Sequence, residues 1–510
     1  MNRLLIPGCL FACLIFCSGV PQAAAAPPEQ LTFSVLYNQS ESAPFSKDWL
    51  ILSEYKSRRN VELDVMLGDN ANYQADVARV LESGQAPDII LKIWPNEIEK
   101  YATSGLLIDF NSYTHLMPHF SAYIQSHHLE GEIERLNSSD EKLYILPGFQ
   151  RTIQVQQWIY RKDLFDSYNL GVPDNYDELY QSLVFLHERL PNSCALTACW
   201  GGAHLFAMMG AGYGIPAGWN KPQFYNAADD TWQFSLTTNN YKDLLRFLHR
   251  CFEAGIFDPD IFTQSVEDYY AKIQDGRAIV TVTWISSGFD NWNRVLRENG
   301  VLNGEWAPMR VPESTSGIRA LPPVDPFRKG LIVPSKSRNK PYFDELMRFI
   351  DWAVYSEEGM TLTDWGVDGI TYNTDGNGKR LIPDIFSPKT PQGTKERTRD
   401  YGLATLFDLN ENSEFEDYKK PAEILRFLEA SAAAGDTAPF PPVLKLDTTA
   451  IQAIDTLMPS LISYATEASK NFITGTRDID SEWNNYIDSM ERLGLRTLEA
   501  IWNLAWDKNR

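Results

Sequence analysis

Apolar and polar positions alternate from Leu31 to Tyr37, the period of a strand with one buried face. A helix is expected next, then a second strand over Val61 to Leu67. Tyr73, Val77, Val80 and Leu81 fall at helical spacing, and Gly84 is a natural C-terminal stop. Pro87 to Ile93 follows as a continuous apolar run, the pattern of a strand buried on both faces. Strand, helix, strand, helix and strand within residues 31–93 predict an α/β class with parallel strands.

Beyond this the pattern turns mostly helical. Leu244, Leu245, Phe247, Leu248, Cys251 and Phe252 form one apolar stripe that stops at Gly255. Strands are expected at Ala278 to Trp284 and Gly330 to Val333. A helix carrying Phe343, Leu346, Met347, Ile350 and Val354 should end near Gly359. The chain closes on helices: Ile451 to Phe472 with a break at Pro459, Glu482 to Leu493 with Asp480 or Ser481 as N-cap, and Leu495 to Trp506. No repeat or low-complexity linker interrupts the 510 residues, a length that suits two or three domains. The domains are therefore expected to share several chain crossings.

The start of the chain reads differently. Arg3 precedes an apolar run to about Val20, broken by Pro7, Gly8, Ser18 and Gly19, and Ala23 to Ala26 follow. This is the pattern of a secretory signal peptide over residues 1–26, too interrupted for a transmembrane span. A lipid anchor is disfavoured, because Phe16 before Cys17 is too large and Cys13 comes too early in the run. The chain is thus read as exported, most simply to the periplasm.

The net charge of −21 disfavours nucleic acid and anionic membrane surfaces as partners. The 14 Trp call for a large core or a binding surface. Catalytic signatures are missing: no G-x-S-x-G elbow, no H-E-x-x-H and no phosphate-cradling glycine loop. Thr374 to Lys379 lacks the oxygen spacing of a calcium loop and reads as a hairpin turn. His115, His119, His127 and His128 read as surface residues. No metal or cofactor is expected. Outside the leader the cysteines are Cys194, Cys199 and Cys251. Cys251 lies on a helix's apolar face and reads as a buried thiol. Cys194 and Cys199 are five apart and are possible partners in a loop disulfide.

Several segments, in order, resemble the extracellular solute-binding proteins of ABC importers, family 1. They are Leu81 to Ile90 (LESGQAPDII), Tyr101 to Phe110 (YATSGLLIDF), Glu141 to Pro147 (EKLYILP), Ile159 to Asp163 (IYRKD), Ile350 to Tyr372 (IDWAVYSEEGMTLTDWGVDGITY) and residues 471–505. Within that family the likeness is nearest to the LipO-like and alginate-oligosaccharide-binding members. Two departures matter. Asp140-Glu141 stands where the family has Asp-Gly, and Arg189 to Cys199 lacks the spaced carboxylates of the alginate binders' calcium loop.

The resemblance implies a two-lobed periplasmic-binding-protein fold of type II, with the ligand cleft between lobes and extra C-terminal helices. Family order implies an N-lobe of residues 27–150 and 325–368 and a C-lobe of 151–324 and 369–510. It implies a carrier that captures a carbohydrate, expected to be an oligosaccharide, by hinge closure and delivers it to a membrane permease. The carrier is expected to be a monomer. A secreted glycoside hydrolase or lyase, and a ligand-sensing partner of a membrane receptor, remain the alternatives. Ligands of such sheets lie at strand carboxyl ends. That rule and the affinity of aromatic rings for sugar C–H faces single out Tyr37, Gln39, Lys92, Trp94, Gln150, Arg151, Trp200, Tyr213, Trp284, Asp368 and Tyr372. Trp219 and Trp365 are further aromatic candidates.

Overall fold

A computed structural model describes residues 30–39, 43–69, 72–102, 104–218, 221–285, 289–386 and 395–508. The expected leader, residues 1–26, lies outside them. Among the described residues, no helix is long and apolar enough to cross a membrane.

In chain order the strands are β1 (Leu31–Gln39), β2 (Val61–Asp69), β3 (Ile89–Ile93), β4 (Leu146–Phe149), β5 (Gln156–Arg161), β6 (Cys194–Thr197), β7 (Gln223–Asn226), β8 (Thr231–Phe234), β9 (Ala278–Trp284), β10 (Trp306–Met309), β11 (Phe327–Ile332), β12 (Asn373–Thr374) and β13 (Arg380–Leu381). Two sheets organise two lobes. The first runs β2-β1-β3-β11-β4 and the second β10-β5-β9-β6.

β1 lies parallel to both β2 and β3, as the strand-helix alternation predicts. β11 returns antiparallel to β3 and β4. Phe33, Val35 and Tyr37 bury on one side of β1 while Leu36 enters the core on the other, so both faces of this sheet are covered. β5 does the same in the second lobe: Trp158 and Tyr160 point into the larger core, Ile159 into a smaller one. That larger core is completed by the helices Thr448–Ile473, Ile479–Arg492 and Leu495–Lys508, through residues such as Leu461, Phe472, Trp483 and Trp502.

Four local expectations are corrected. The helix through Pro459 runs unbroken from Thr448 to Ile473. Asp478, rather than Asp480 or Ser481, caps the next helix by accepting from Ser481 N. The helix Phe343–Tyr355 stops at Ser356, whose hydroxyl accepts from Gly359 N and starts Glu357–Asp364. Gly359 therefore sits inside a new helix, where an added Cβ would lie 2.1 Å from Trp352 O. Lastly, Cys194 and Cys199 are free thiols, as is Cys251. Cys194 opens β6, and three steps of extended chain at about 3.3 Å each already carry Thr197 about 10 Å from it, beyond the 7 Å Cα limit for a disulfide, before Cys199 is reached.

Residues 150–155 carry the chain from β4 to β5, and residues 310–326 bring it back from β10 to β11. The two crossings are bonded side by side: Gln154 Nε2 donates to Pro322 O at 2.9 Å, and Gln150 N to Pro326 O at 2.9 Å. Leu403, Leu406, Phe407 and Leu409 pack into the first lobe's core, whereas Ile424 and Leu428 pack on the second sheet. The chain thus crosses once more between them, and residues 403–409 depart from the family-order expectation that 369–510 lies wholly in the C-lobe.

Candidate functional site

Two adjoining cavities open where the crossings meet the sheet ends. One, of about 200 Å³, is lined by Lys92, Trp94, Gln150, Phe327, Arg328, Lys329 and Asp408. The other, of about 210 Å³, shares Gln150 and Arg328 and continues along Arg151, Ile153, Val155, Glu411 and Asp417. The first lies just past the carboxyl end of β3, where an open parallel sheet leaves a crevice.

Trp94 follows β3 and is 45% exposed, with Lys329 Nζ 5.3 Å from its ring centroid. Lys92 Nζ donates to Asp408 O at 2.6 Å and lies 3.7 Å from the Asp408 carboxylate. Arg328 approaches the same carboxylate at 3.3 Å. Burial, reinforced by Arg328 and Lys329, pulls the Lys92 ammonium below the ordinary lysine value against the attraction of Asp408. Burial pushes Asp408 up, but Lys92 and Arg328 outweigh it and hold its carboxyl below the usual range.

In the second cavity Arg151 reaches Glu411 at 2.7 Å and grips Asp417 with both terminal nitrogens, at 2.7 and 3.2 Å. Arg151 stands on the first crossing, and its partners stand on the segment that returns to the second lobe. Gly148 permits that segment's approach, since a Cβ there would lie 2.1 Å from Leu409 O.

At the end of β9, Trp284 is 40% exposed and stacks on His204 at 4.6 Å between ring centroids. Trp200, 47% exposed, meets Trp284 edge-on at 5.1 Å. Ile285 N donates to Val155 O at 3.0 Å, which sets this aromatic group beside the second cavity's wall. His204 Nε2 lies 3.0 Å from Gln156 Oε1, so Nε2 carries the proton. Burial lowers the imidazole to about 4 and keeps it neutral at physiological pH. Lys92 and Trp200 both hold left-handed backbone, φ 61° and 53°, which costs on the order of 1 kcal/mol or more for a residue with a side chain.

Of the eleven expected ligand residues, the two cavities bring together Lys92, Trp94, Gln150 and Arg151, and Trp200 and Trp284 stand beside them. The others go elsewhere. Tyr37 is core, edge-on to Trp49, because β1 points alternate residues inward. Tyr213 is also core, stacked on Tyr176, because its helix is apolar all round. Gln39 pins its own loop by accepting from Phe45 N. Asp368 and Tyr372 pair across the turn before the β12–β13 hairpin and line neither cavity. Trp365 is buried among Tyr372, Phe415 and Tyr418, and Trp219 lies outside the described residues.

Sequence reasoning missed Arg328, Lys329, Asp408, Glu411 and His204. Arg328 and Lys329 open β11, a strand whose apolar end alone was legible. Asp408 and Glu411 lie in irregular chain with no period to read. Asp364 was missed too. Burial, with Asp408 adding to it, raises its carboxyl to about 7. Such a carboxyl suits an acid catalyst, but Asp364 lines neither cavity.

The sequence matches the bacterial extracellular solute-binding protein family over residues 40–360. The chain belongs to that family. Among its curated relatives is the fructooligosaccharide ABC transporter substrate-binding protein FusA of Streptococcus pneumoniae, 22% identical over 344 residues, 63% of this chain and 60% of that protein. The lipoprotein LipO of Bacillus subtilis is 21% identical over 342 residues, 63% of this chain and 65% of that protein. Less than two thirds of either relative's length is therefore aligned. Among solved structures, the alginate-binding protein AlgQ2 without calcium superposes with a TM-score of 0.75 at 20% identity, over 94% of this chain and 99% of that one. FusA with kestose superposes with a TM-score of 0.71 at 17% identity, over 94% and 99%. This solute-binding protein therefore has the two-lobed fold, with its cavities at the crossings that join the lobes.

Proposed function

We propose that this protein is the exported substrate-capture component of an ABC importer, and that its ligand is an oligosaccharide. The observation that carries the reading is the pairing of exposed indoles with polar cavities at the crossings. Trp94 stands at the end of the first sheet, Trp284 and Trp200 at the end of the second. Indole faces cover the C–H faces of sugar rings at low entropic cost, while Gln150, Arg151 and Gln156 offer the planar polar groups that grip hydroxyls. Two platforms on two lobes suit a ligand of more than one ring. FusA and AlgQ2, named for fructooligosaccharide and alginate, support a saccharide. The lobes close on it about residues 150–155 and 310–326, which we take as the N-lobe to C-lobe boundaries together with the crossing after Leu409. The protein works in the periplasm as a monomer, performs no chemistry on its ligand and hands it to a permease.

A thermal-shift screen against glycans, amino acids and peptides tests this. A micromolar ligand at millimolar concentration should add about 4 kcal/mol of stability. Stabilisation by amino acids or peptides but by no glycan overturns the saccharide assignment.

A further inference from the structure

The charges around Trp94 are unbalanced. Three cations, Lys92, Arg328 and Lys329, share its cavity with one carboxylate, Asp408. Lys92 and Arg328 both turn to that carboxylate, at 3.7 and 3.3 Å. Lys329 makes no ion pair among the described residues, and its ammonium lies over the Trp94 ring, 5.3 Å from the centroid. The surplus is local. In the adjoining cavity Arg151, Lys420 and the shared Arg328 face four carboxylates, Glu411, Glu416, Asp417 and Glu429, and Arg151 and Lys420 each have a carboxylate partner. It also runs against a chain whose net charge is −21.

A cavity wall with excess positive charge, raised in an acidic protein, favours an anion over water and over a neutral hydroxyl.

We propose that the sugar ring seated on Trp94 carries an acidic group, and that Lys329 is the residue that selects it, with Lys92 and Arg328 supplying the surrounding positive potential. The inference rests on the oligosaccharide reading above and narrows it to acidic oligosaccharides. The indole covers the ring's C–H face while the ammonium beside it meets a carboxylate or sulfate ester on the same ring. The wall around Arg151, whose charges are already paired, takes neutral rings.

The test is a comparison of glycans that differ in charge alone. Titration calorimetry would compare uronate tetrasaccharides, such as tetragalacturonate, with their methyl esters, alongside neutral kestose and maltotetraose and a sulfated carrageenan tetrasaccharide. The expected result is at least tenfold tighter binding of one acidic probe than of its neutral counterpart, weakening as NaCl rises. A preference for the sulfated probe supports acid recognition and assigns the group as a sulfate ester. Lys329→Gln should abolish the preference, and Lys329→Arg should keep it. Circular dichroism melts should show both variants folding as the wild type does, because Lys329 is only half-buried. Capture of neutral glycans with no preference for acidic ones overturns the inference and leaves the oligosaccharide reading standing. Capture of no glycan at all overturns both.

Discussion

Two aromatic residues of the candidate set separate binding from stability. Trp284 is 40% exposed and rests on His204, whereas Tyr213 is 3% exposed and stacked on Tyr176. Trp284→Ala should therefore leave the melting temperature of the free protein nearly unchanged and weaken glycan binding about tenfold. That corresponds to about 1.4 kcal/mol, within what an aromatic face contributes. Tyr213→Ala should cost about 3–5 kcal/mol of stability in denaturant melts, because it leaves a cavity in packed core. Titration offers a second contrast. Asp364 is raised to about 7 by burial and by Asp408, with Arg328 and Lys419 pulling the other way and Glu416 adding to the rise. A raised carboxyl contributes most below its free value near 3.8, and that contribution is lost as pH climbs to about 7. His204 is lowered to about 4, so its contribution is present above 6.5 and lost as pH falls through 4. The two slopes oppose each other across the same window. Asp364→Asn should remove one of them, so stability measured from pH 4 to 7 should rise more steeply with pH than in the wild type. An unchanged profile would place the titrating group elsewhere.

At the scale of elements, the periodic stretches were legible and the irregular ones were not. Alternation located β1, a continuous apolar run located β3, and helical stripes located the helices at 73–82 and 239–253. Each signal reports a face turned toward a core, which is why it survives in the bare sequence. Pro459 misled because a proline's disruption can be absorbed in a helix packed along its length: Leu461, Ala465 and Phe472 anchor the turns that follow it. The cysteines misled because spacing along the chain says nothing about whether the chain between them bends. Cys194 to Thr197 is straight strand, and both thiols are free. A reductant such as dithiothreitol should therefore leave the melting temperature unchanged, as should Cys194→Ser. A fall of several degrees on reduction would show a disulfide after all.

For the whole molecule, the two sheets and the three crossings between them make a hinge the natural motion. The crossings are joined by a few bonds, among them Gln154 to Pro322 and the Arg151 grip on Glu411 and Asp417. Small-angle scattering should show the radius of gyration falling when a saturating glycan is added, and an unchanged radius would argue for a cleft already closed. Hydrophobic patterning and the ordered motifs established the α/β class, the exported solute-binding family and the aromatic wealth of the chain, because core burial and turn chemistry are written in neighbouring residues. The site followed another logic. Trp94 stands more than two hundred residues from Arg328, and Arg328 80 residues from Asp408, at strand ends and in irregular chain, where no period marks them. Which of the candidate aromatics face solvent, and which cations are left over beside Trp94, depend on how the lobes' layers fold over one another.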